Sequence, residues 1–325
     1  MPTAVGDRRS IADALTGRQR RFGSADVDGL AGFAAEKMPV MSFGLVLGAG
    51  GTLGEAYHRG VLRALHERGF DAREAAVVVG TSAGSIVAAA IRRQSTATPA
   101  ALTDRAPRRR LVPDRTEALR LVRRPRQALN ALLLTPELMN GRIPTTFLAD
   151  ALRRAHGTTW PDAALWIVAV RRDSGARVVF GKPGEPTTDV ASAVAASCAI
   201  PGYFQAVDID GTTYVDGGVH SPTNADVLAP LDLDLVIISS PMSMEPRQAR
   251  ARLDLPLRWL CHRYLRAEVW SLKRSGDRVV TIEPDAAVLG VMGVNMMSGR
   301  HADEVEERAY TLALRRLALG PERQP

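Results

Sequence analysis

The chain has little of what builds cross-linked or metal-stapled folds. Among 325 residues only two are cysteine, Cys198 and Cys261, and they stand apart. Without a C-x-x-C pair, neither a zinc site nor a disulfide framework is signalled, and a reducing, cytoplasmic setting fits best. H-E-x-x-H and EF-hand patterns are missing too, so no metal and no other cofactor is expected. No apolar run approaches the roughly 18 residues of a membrane span. The opening segment, MPTAVGDRRSIADALTGRQRRFG, lacks the apolar stretch of a secretory signal. Any meeting with a membrane is therefore expected at its surface, making the protein cytoplasmic and at most peripheral. The basic tract near Arg108-Arg109-Arg110 has no interleaved aromatics, so nucleic acid is not expected as a partner.

What remains is an ordinary globular balance of 46% hydrophobic and 24% charged residues. The net charge of +7 and pI of about 10.0 favour anionic partners such as phospholipid head groups. The excess is nearly all arginine, and a soluble arginine-rich surface would carry the same charge.

Residues 1–40 are polar and read as a loosely attached extension. Order begins with the apolar run 43–47, followed by glycines at 48–54 and a helical pattern over 55–67 that Gly69 ends. A second strand at 76–79 leads into the turn 80–84 and a small-residue helix at 86–91. Repeated strand, turn and helix predict a mainly parallel sheet covered on both faces. Residues 92–126 contain Pro99, Pro107, Pro113 and Pro125 among basic clusters, and read as an excursion from the core or a lid. Strands follow at 166–170 and 177–180, as a hairpin over Ser174-Gly175, then a helix at 190–197. Residues 213–215 lead into Asp216-Gly217-Gly218. The catalytic core is drawn over 41–240. In 241–325, a strand at 279–282 and an amphipathic helix at 302–319 complete the same globule.

Three motifs carry chemistry. Gly80-Thr81-Ser82-Ala83-Gly84 has the form G-x-S-x-G between a strand and a helix. A nucleophile on such a turn is crowded by strand and helix, so Gly80 and Gly84 are needed beside Ser82. The helix N-terminus behind Ser82 favours developing negative charge. The loop Gly48-Ala49-Gly50-Gly51-Thr52-Leu53-Gly54 also joins a strand to a helix. As a dinucleotide fingerprint starting at Gly48 it fails, because the last glycine falls on Leu53. Two readings stay open, an oxyanion hole of backbone N–H groups and a plain tight turn. The serine also needs a base. His262 and His301 lie late enough for the usual order of nucleophile, acid and histidine, but both fall in or beside helical stretches. Asp216, at a strand end before Gly217 and Gly218, is the alternative, although Asp-Gly pairs in exposed turns are common.

As a set these elements resemble the patatin-like phospholipase family. Ala56-Tyr57-His58-Arg59-Gly60-Val61-Leu62 is similar to the helix after that family's glycine loop. Ala196-Ser197-Cys198-Ala199-Ile200-Pro201-Gly202-Tyr203-Phe204 is similar to its A-S-x-x-x-P-x-x-F segment. The resemblance covers about residues 43–240. It implies a three-layer α/β/α sandwich and a lipid acyl hydrolase, of phospholipase A, lysophospholipase or esterase type. It further implies a Ser–Asp dyad without a catalytic histidine: Ser82 as nucleophile, Asp216 as base, and Gly50, Gly51 and Thr52 as the oxyanion hole. An ordinary carboxylate is a poor base for an alcohol, so Asp216 is expected to be enclosed and close to Ser82. Ala49 and Leu53 depart from the pattern, where members often carry glycine and a cation. Esterase or thioesterase action on soluble substrates, or silent lipid binding on the same fold, are the competing readings.

Two further segments could face lipid. A helix from Leu257 carries an apolar stripe of Leu257, Leu260, Cys261, Tyr264, Leu265, Val269 and Leu272, with arginines mostly off it. Such a stripe reads as core packing or as a bilayer-facing surface. Met292, Met296 and Met297 could line an acyl pocket or belong to the core.

Overall fold

The computed structural model describes residues 42–93, 141, 143–231, 233–245 and 253–320. The N-terminal extension, and the 92–126 excursion beyond Arg93, lie outside the described residues.

The strands are β1 (Phe43–Leu47), β2 (Val77–Thr81), β3 (Leu165–Arg171), β4 (Arg177–Phe180), β5 (Val207–Ile209), β6 (Thr212–Asp216), β7 (Leu235–Ser239) and β8 (Arg278–Ile282). They form one sheet in the order β5-β6-β3-β2-β1-β7-β8, with β4 added to β3. The run β3-β2-β1-β7-β8 is parallel. Both β4 and β6 run antiparallel to β3, and β5 antiparallel to β6. The helices are α1 (Gly51–Glu67), α2 (Ala83–Arg93), α3 (Thr146–His156), α4 (Val190–Ser197), α5 (Leu255–Arg274), α6 (Ala286–Met292) and α7 (Ala302–Leu319).

Strand side chains alternate between faces, and the core divides accordingly. Leu45, Leu47, Val78, Ile167, Leu235 and Val280 pack with residues of α1, α2, α3, α4 and α7. Val46, Val79, Val168, Val236, Ile238 and Val279 face the other way, onto α5 and the 3-10 segment Ala225–Leu231. The result is the expected three-layer α/β/α sandwich with a mainly parallel sheet.

α1 begins at Gly51, four residues before the predicted start, because the glycine loop itself forms the first turn. α3, α6 and β5 were not legible as elements. On α5, Cys261, Leu265, Val269 and Leu272 are buried, so that part of the predicted stripe is core, whereas Leu257 is exposed. Among the described residues no helix is long and apolar enough to cross a membrane.

One detail of the sheet brings two strand ends together. β3 gives one edge to β4, from Ile167 to Val170. Its other edge must then serve both β2, which pairs up to Thr81↔Val168, and β6, which pairs from Asp216↔Ala169. β2 and β6 therefore approach each other end to end along one edge of β3. Their last residues sit opposite adjacent residues of that strand.

Candidate active site

The end-to-end meeting of β2 and β6 puts Ser82 and Asp216 side by side, although they lie 134 positions apart in sequence.

 Both side chains are buried, and the Ser82 hydroxyl donates to the Asp216 carboxylate. Gly217 is what lets the strand ends come this close: a Cβ there would stand 2.3 Å from the Val168 carbonyl oxygen and 3.1 Å from Thr81 Cγ2.

Ser82 occupies the left-handed region, with φ of 54°, uncommon for a residue with a side chain. The turn is held from both sides. The Ser82 N–H donates to Ser197 Oγ at 2.9 Å, and the Ser82 carbonyl accepts from the Ser85 N–H at 2.8 Å and from Ser85 Oγ at 2.6 Å. Both flanking glycines are sterically required. A Cβ on Gly80 would meet the Ser85 Cα at 2.5 Å, and one on Gly84 would meet the Leu47 carbonyl oxygen at 1.9 Å. The second clash comes from the neighbouring strand β1, which a reading of the turn alone does not reveal.

Asp216 is enclosed, and burial pushes its carboxyl up to about 7, opposed by the bond from Ser82 and by the Gly218 N–H. That N–H donates to Asp216 Oδ1 at 2.7 Å. A Cβ on Gly218 would crowd the same oxygen at 3.0 Å. The thiol of Cys198 lies 3.7 Å from Ser85 Oγ, and burial pushes it well above the usual thiol range. Both cysteines are free and buried.

The glycine loop is anchored at both ends and open in the middle. The Gly48 N–H donates to the Ser239 carbonyl at 3.0 Å and the Ala49 N–H to the Pro222 carbonyl at 2.7 Å. Farther on, the Leu53 N–H donates to the Met296 carbonyl at 3.0 Å and the Gly54 N–H to the Gly50 carbonyl at 2.8 Å. Between these, the N–H groups of Gly50, Gly51 and Thr52 find no acceptor among the described residues. They stand at the N-terminus of α1, where unpaired N–H groups carry partial positive charge. Gly51 has φ of 57°, and a Cβ on it would meet Met297 Sδ at 2.7 Å. On Gly50 a Cβ would meet the Gly54 Cα at 2.6 Å, whereas Gly54 itself has room for one. Ala49 is not among the residues with positive φ, so its methyl is tolerated. Leu53 is buried in the core and leaves no cation at that position.

Four positioning groups were missed by the sequence reading. His58 is fully buried, with Nε2 2.8 Å from the Gly48 carbonyl oxygen and Nδ1 2.8 Å from Ser239 Oγ. Burial lowers its pKa to about 4, so it is neutral at neutral pH. Asn224 has φ of 53° and is fully buried. Its Nδ2 donates to Thr81 Oγ1 at 3.2 Å, to the Gly217 carbonyl at 3.3 Å and to the Ser221 carbonyl at 2.5 Å. Glu268 of α5 accepts from Thr223 Oγ1 at 2.5 Å and the Ala225 N–H at 3.0 Å. Ser197 is the fourth. None is visible as a motif, because each acts through a bond to a group distant in sequence; His58 and Ser197 fell in segments already singled out, without a role.

Of the two late histidines, His262 pairs with Glu283 at 2.7 Å and His301 is exposed. Neither has a bond to Ser82 or Asp216. Among the three methionines, Met292 is buried core, while Met296 and Met297 are half-buried against the glycine loop. A cleft of about 300 Å³, lined in part by His220, Asp226, Tyr264 and Glu268, lies beside the segment after Asp216, and neither Ser82 nor Asp216 lines it. Among the described residues, no cluster of three or more His, Cys, Asp or Glu side chains could hold a metal ion.

A family profile described as Patatin-like phospholipase matches residues 45–229. The fold is similar to the crystal structure of VipD from Legionella pneumophila, with 13% identity, coverage of 85% of this chain and 66% of that one, and a TM-score of 0.39. It is also similar to the crystal structure of the type III effector protein ExoU, with 17% identity, coverage of 85% and 53%, and a TM-score of 0.36. The chain thus spans between about half and two thirds of the length of these two proteins.

Proposed function

The chain belongs to the patatin-like phospholipase family, and from that premise we propose that it hydrolyses acyl esters of lipids through an acyl-serine, with Ser82 as nucleophile and Asp216 as its base. The observation that carries this reading is the buried pair itself. A carboxyl raised to about 7 accepts the hydroxyl proton of a serine held on a strained turn. A base titrating near working pH combines availability with proton affinity.

In the first step Asp216, ionised, takes the proton from Ser82 Oγ as Oγ bonds to the ester carbonyl carbon. The carbonyl π electrons move onto oxygen, and the N–H groups of Gly50, Gly51 and Thr52 stabilise the oxyanion. When the oxyanion collapses, the C–O bond to the alcohol breaks, and Asp216 returns its proton to that oxygen. A water molecule then attacks the acyl carbon, with Asp216 again taking the proton; as the second oxyanion collapses, the bond from the acyl carbon to Ser82 Oγ breaks and Asp216 returns the proton to Oγ, leaving the acid and free Ser82. The N–H of Ser82 is already committed to Ser197, so it is not one of the donors.

The test is hydrolysis of short- and long-chain p-nitrophenyl esters and a phospholipid panel by the parent chain, Ser82→Ala and Asp216→Asn. Loss of all hydrolysis in both folded variants supports the dyad, and the panel identifies the substrate class. Activity on soluble esters alone replaces the lipid reading with an esterase. Persistent activity in Asp216→Asn removes Asp216 as the base. Lipid binding without any turnover leaves a silent scaffold.

A further inference from the structure

α5 has two faces of different chemistry. Its inner face carries Cys261, Leu265, Val269 and Leu272, all buried. Its outer face carries Trp259, Arg263, Arg266, Trp270, Lys273 and Arg274, all exposed. Steps of three and four residues place these six on one stripe of a helix. The helix contains a single acid, Glu268, which is turned inward onto Thr223 and Ala225. The outer stripe therefore holds four cations, two indoles and no carboxylate.

Exposure of this kind is unusual for tryptophan. Trp259 is 48% and Trp270 62% accessible. Each is overlaid by a guanidinium from the next turn of the helix, Arg263 at 5.0 Å and Arg274 at 4.7 Å from the ring centroids. The two indoles lie roughly 16 Å apart along the axis, at 1.5 Å rise per residue. An indole has an apolar body and a polar edge, which suits it to the boundary between head groups and acyl chains. Cations beside it match lipid phosphates. A nucleic-acid surface would use the same cations, but it gives no reason for two ring faces capped by intramolecular arginines along a regular helix.

The position of α5 relates this stripe to the candidate site. Arg258, at its first turn, donates to the Pro241 carbonyl at 2.9 Å and the Ser243 carbonyl at 3.2 Å, just past the end of β7. Its Nη2 lies 3.3 Å from Met296 Sδ, and the Met296 carbonyl holds the Leu53 N–H of the glycine loop. The Trp259 end of α5 is thus at the same, C-terminal end of the parallel strands as the glycine loop.

We propose that the outer face of α5 is a docking surface for an anionic lipid bilayer, with Trp259 and Trp270 entering the head-group boundary and Arg263, Arg266, Lys273 and Arg274 meeting lipid phosphates. The inference extends the lipid-hydrolase reading by naming how the chain reaches an aggregated substrate, but its test is binding and needs no turnover.

The Ser82→Ala chain is sedimented with phosphatidylcholine vesicles made with or without one quarter phosphatidylglycerol, and its tryptophan fluorescence is followed. The expected result is binding to the anionic vesicles, weakened by salt, with a blue shift. Trp259→Ala with Trp270→Ala abolishes the shift, and Arg263→Glu with Arg274→Glu lowers partitioning about tenfold or more. The same charge change at exposed Arg154 and Arg308, on α3 and α7, leaves partitioning unchanged. With Ser82 intact, the stripe variants retain hydrolysis of a soluble p-nitrophenyl ester, which separates docking from catalysis and from misfolding. Equal binding to neutral and anionic vesicles, equal loss in the Arg154 and Arg308 control, or no vesicle binding at all would overturn the proposal. So would tighter binding of the stripe to an oligonucleotide than to anionic vesicles. If vesicles bind as expected but the parent chain hydrolyses no ester, the docking surface stands and the hydrolase reading falls.

Discussion

The turns after β1 and β2 are close relatives in shape and opposites in chemistry. Each leaves a central parallel strand and enters a helix, and each contains one residue in the left-handed region. After β1 it is Gly51, φ 57°, where no side chain opposes the conformation. After β2 it is Ser82, φ 54°, where one does. A non-glycine residue in that region costs roughly 1–2 kcal/mol. The glycine loop thus exposes backbone N–H groups at little conformational cost. The serine turn accepts strain and aims a side chain, with Ser197, Ser85 and Asn224 holding it in place.

Replacing each special residue sharpens the contrast. The largest effect is expected at Ser82. Both Ser82→Gly and Ser82→Ala lose hydrolysis by about 10⁴-fold or more, the loss typical for a missing nucleophile. The two variants separate in stability, because glycine relieves the strain that alanine keeps. Ser82→Gly is expected to be more stable than Ser82→Ala by about 1 kcal/mol in urea unfolding. Equal stabilities would mean that the turn is not strained.

Gly51→Ala tests the other turn. Its methyl would meet Met297 Sδ and the Met296 carbonyl, shifting the open N–H groups. A fall of about 10²-fold in kcat is expected, with KM for a soluble ester little changed. A fall confined to KM would argue against an oxyanion role.

Acidity comes next. With Asp216 raised to about 7, kcat/KM is expected to drop about tenfold per pH unit below pH 7, because only the ionised carboxylate accepts the proton. Stability moves the other way. The raised carboxyl stabilises the fold most below about 3.8, and that contribution is lost as pH rises through about 7. The form of Asp216 that works is the form the fold resists. A pH-rate profile flat from 5 to 8, in order of magnitude about constant, would remove Asp216 from the proton-transfer step.

The smallest effect belongs to His58. Removing its bonds to the Gly48 carbonyl and Ser239 in His58→Ala is expected to cost about 2 kcal/mol and to slow turnover only severalfold. His58 is held neutral, with a pKa lowered from 6.5 to about 4. Its contribution is complete above about 6.5 and is lost as pH falls toward about 4. The variant should therefore lose part of the acid sensitivity of the parent in that window, as read from thermal melts.

The same contrast explains what the sequence made legible. Glycines and apolar runs are local signals, so the strand-turn-helix pairs at 43–67 and 77–93 could be read directly, although α1 starts four residues and α2 three residues before the expected bounds and β2 runs on to Thr81. Gly80, Gly84, Gly50 and Gly51 announce close approach, though not that Gly84 faces the Leu47 carbonyl of another strand. α6, with seven residues, and β5, with three, are too short to show a period, and α3, although eleven residues long, begins without a side-chain cap. The positioning groups His58, Asn224, Glu268 and Ser197 gave no sign of their roles. A buried polar side chain looks in sequence like any exposed one, and only the fold supplies its partner. On α5 the part of the apolar stripe formed by Cys261, Leu265, Val269 and Leu272 went inward, while Leu257, the indoles and every arginine but Arg258 are exposed.

The shared edge of β3 has a consequence for how the candidate site ages and adapts. Thr81, next to Ser82, and Asp216 are spaced by backbone ladders, so the separation of the pair follows the repeat distance of a sheet rather than the wandering of long loops. A slip of β6 by one residue would turn the Asp216 side chain to the opposite face, so the arrangement is all or nothing. Chain can be added to or removed from surface connections elsewhere without retuning it. Such a pair acts as a gauge block: its accuracy comes from the lattice it belongs to, and it persists for as long as that lattice does.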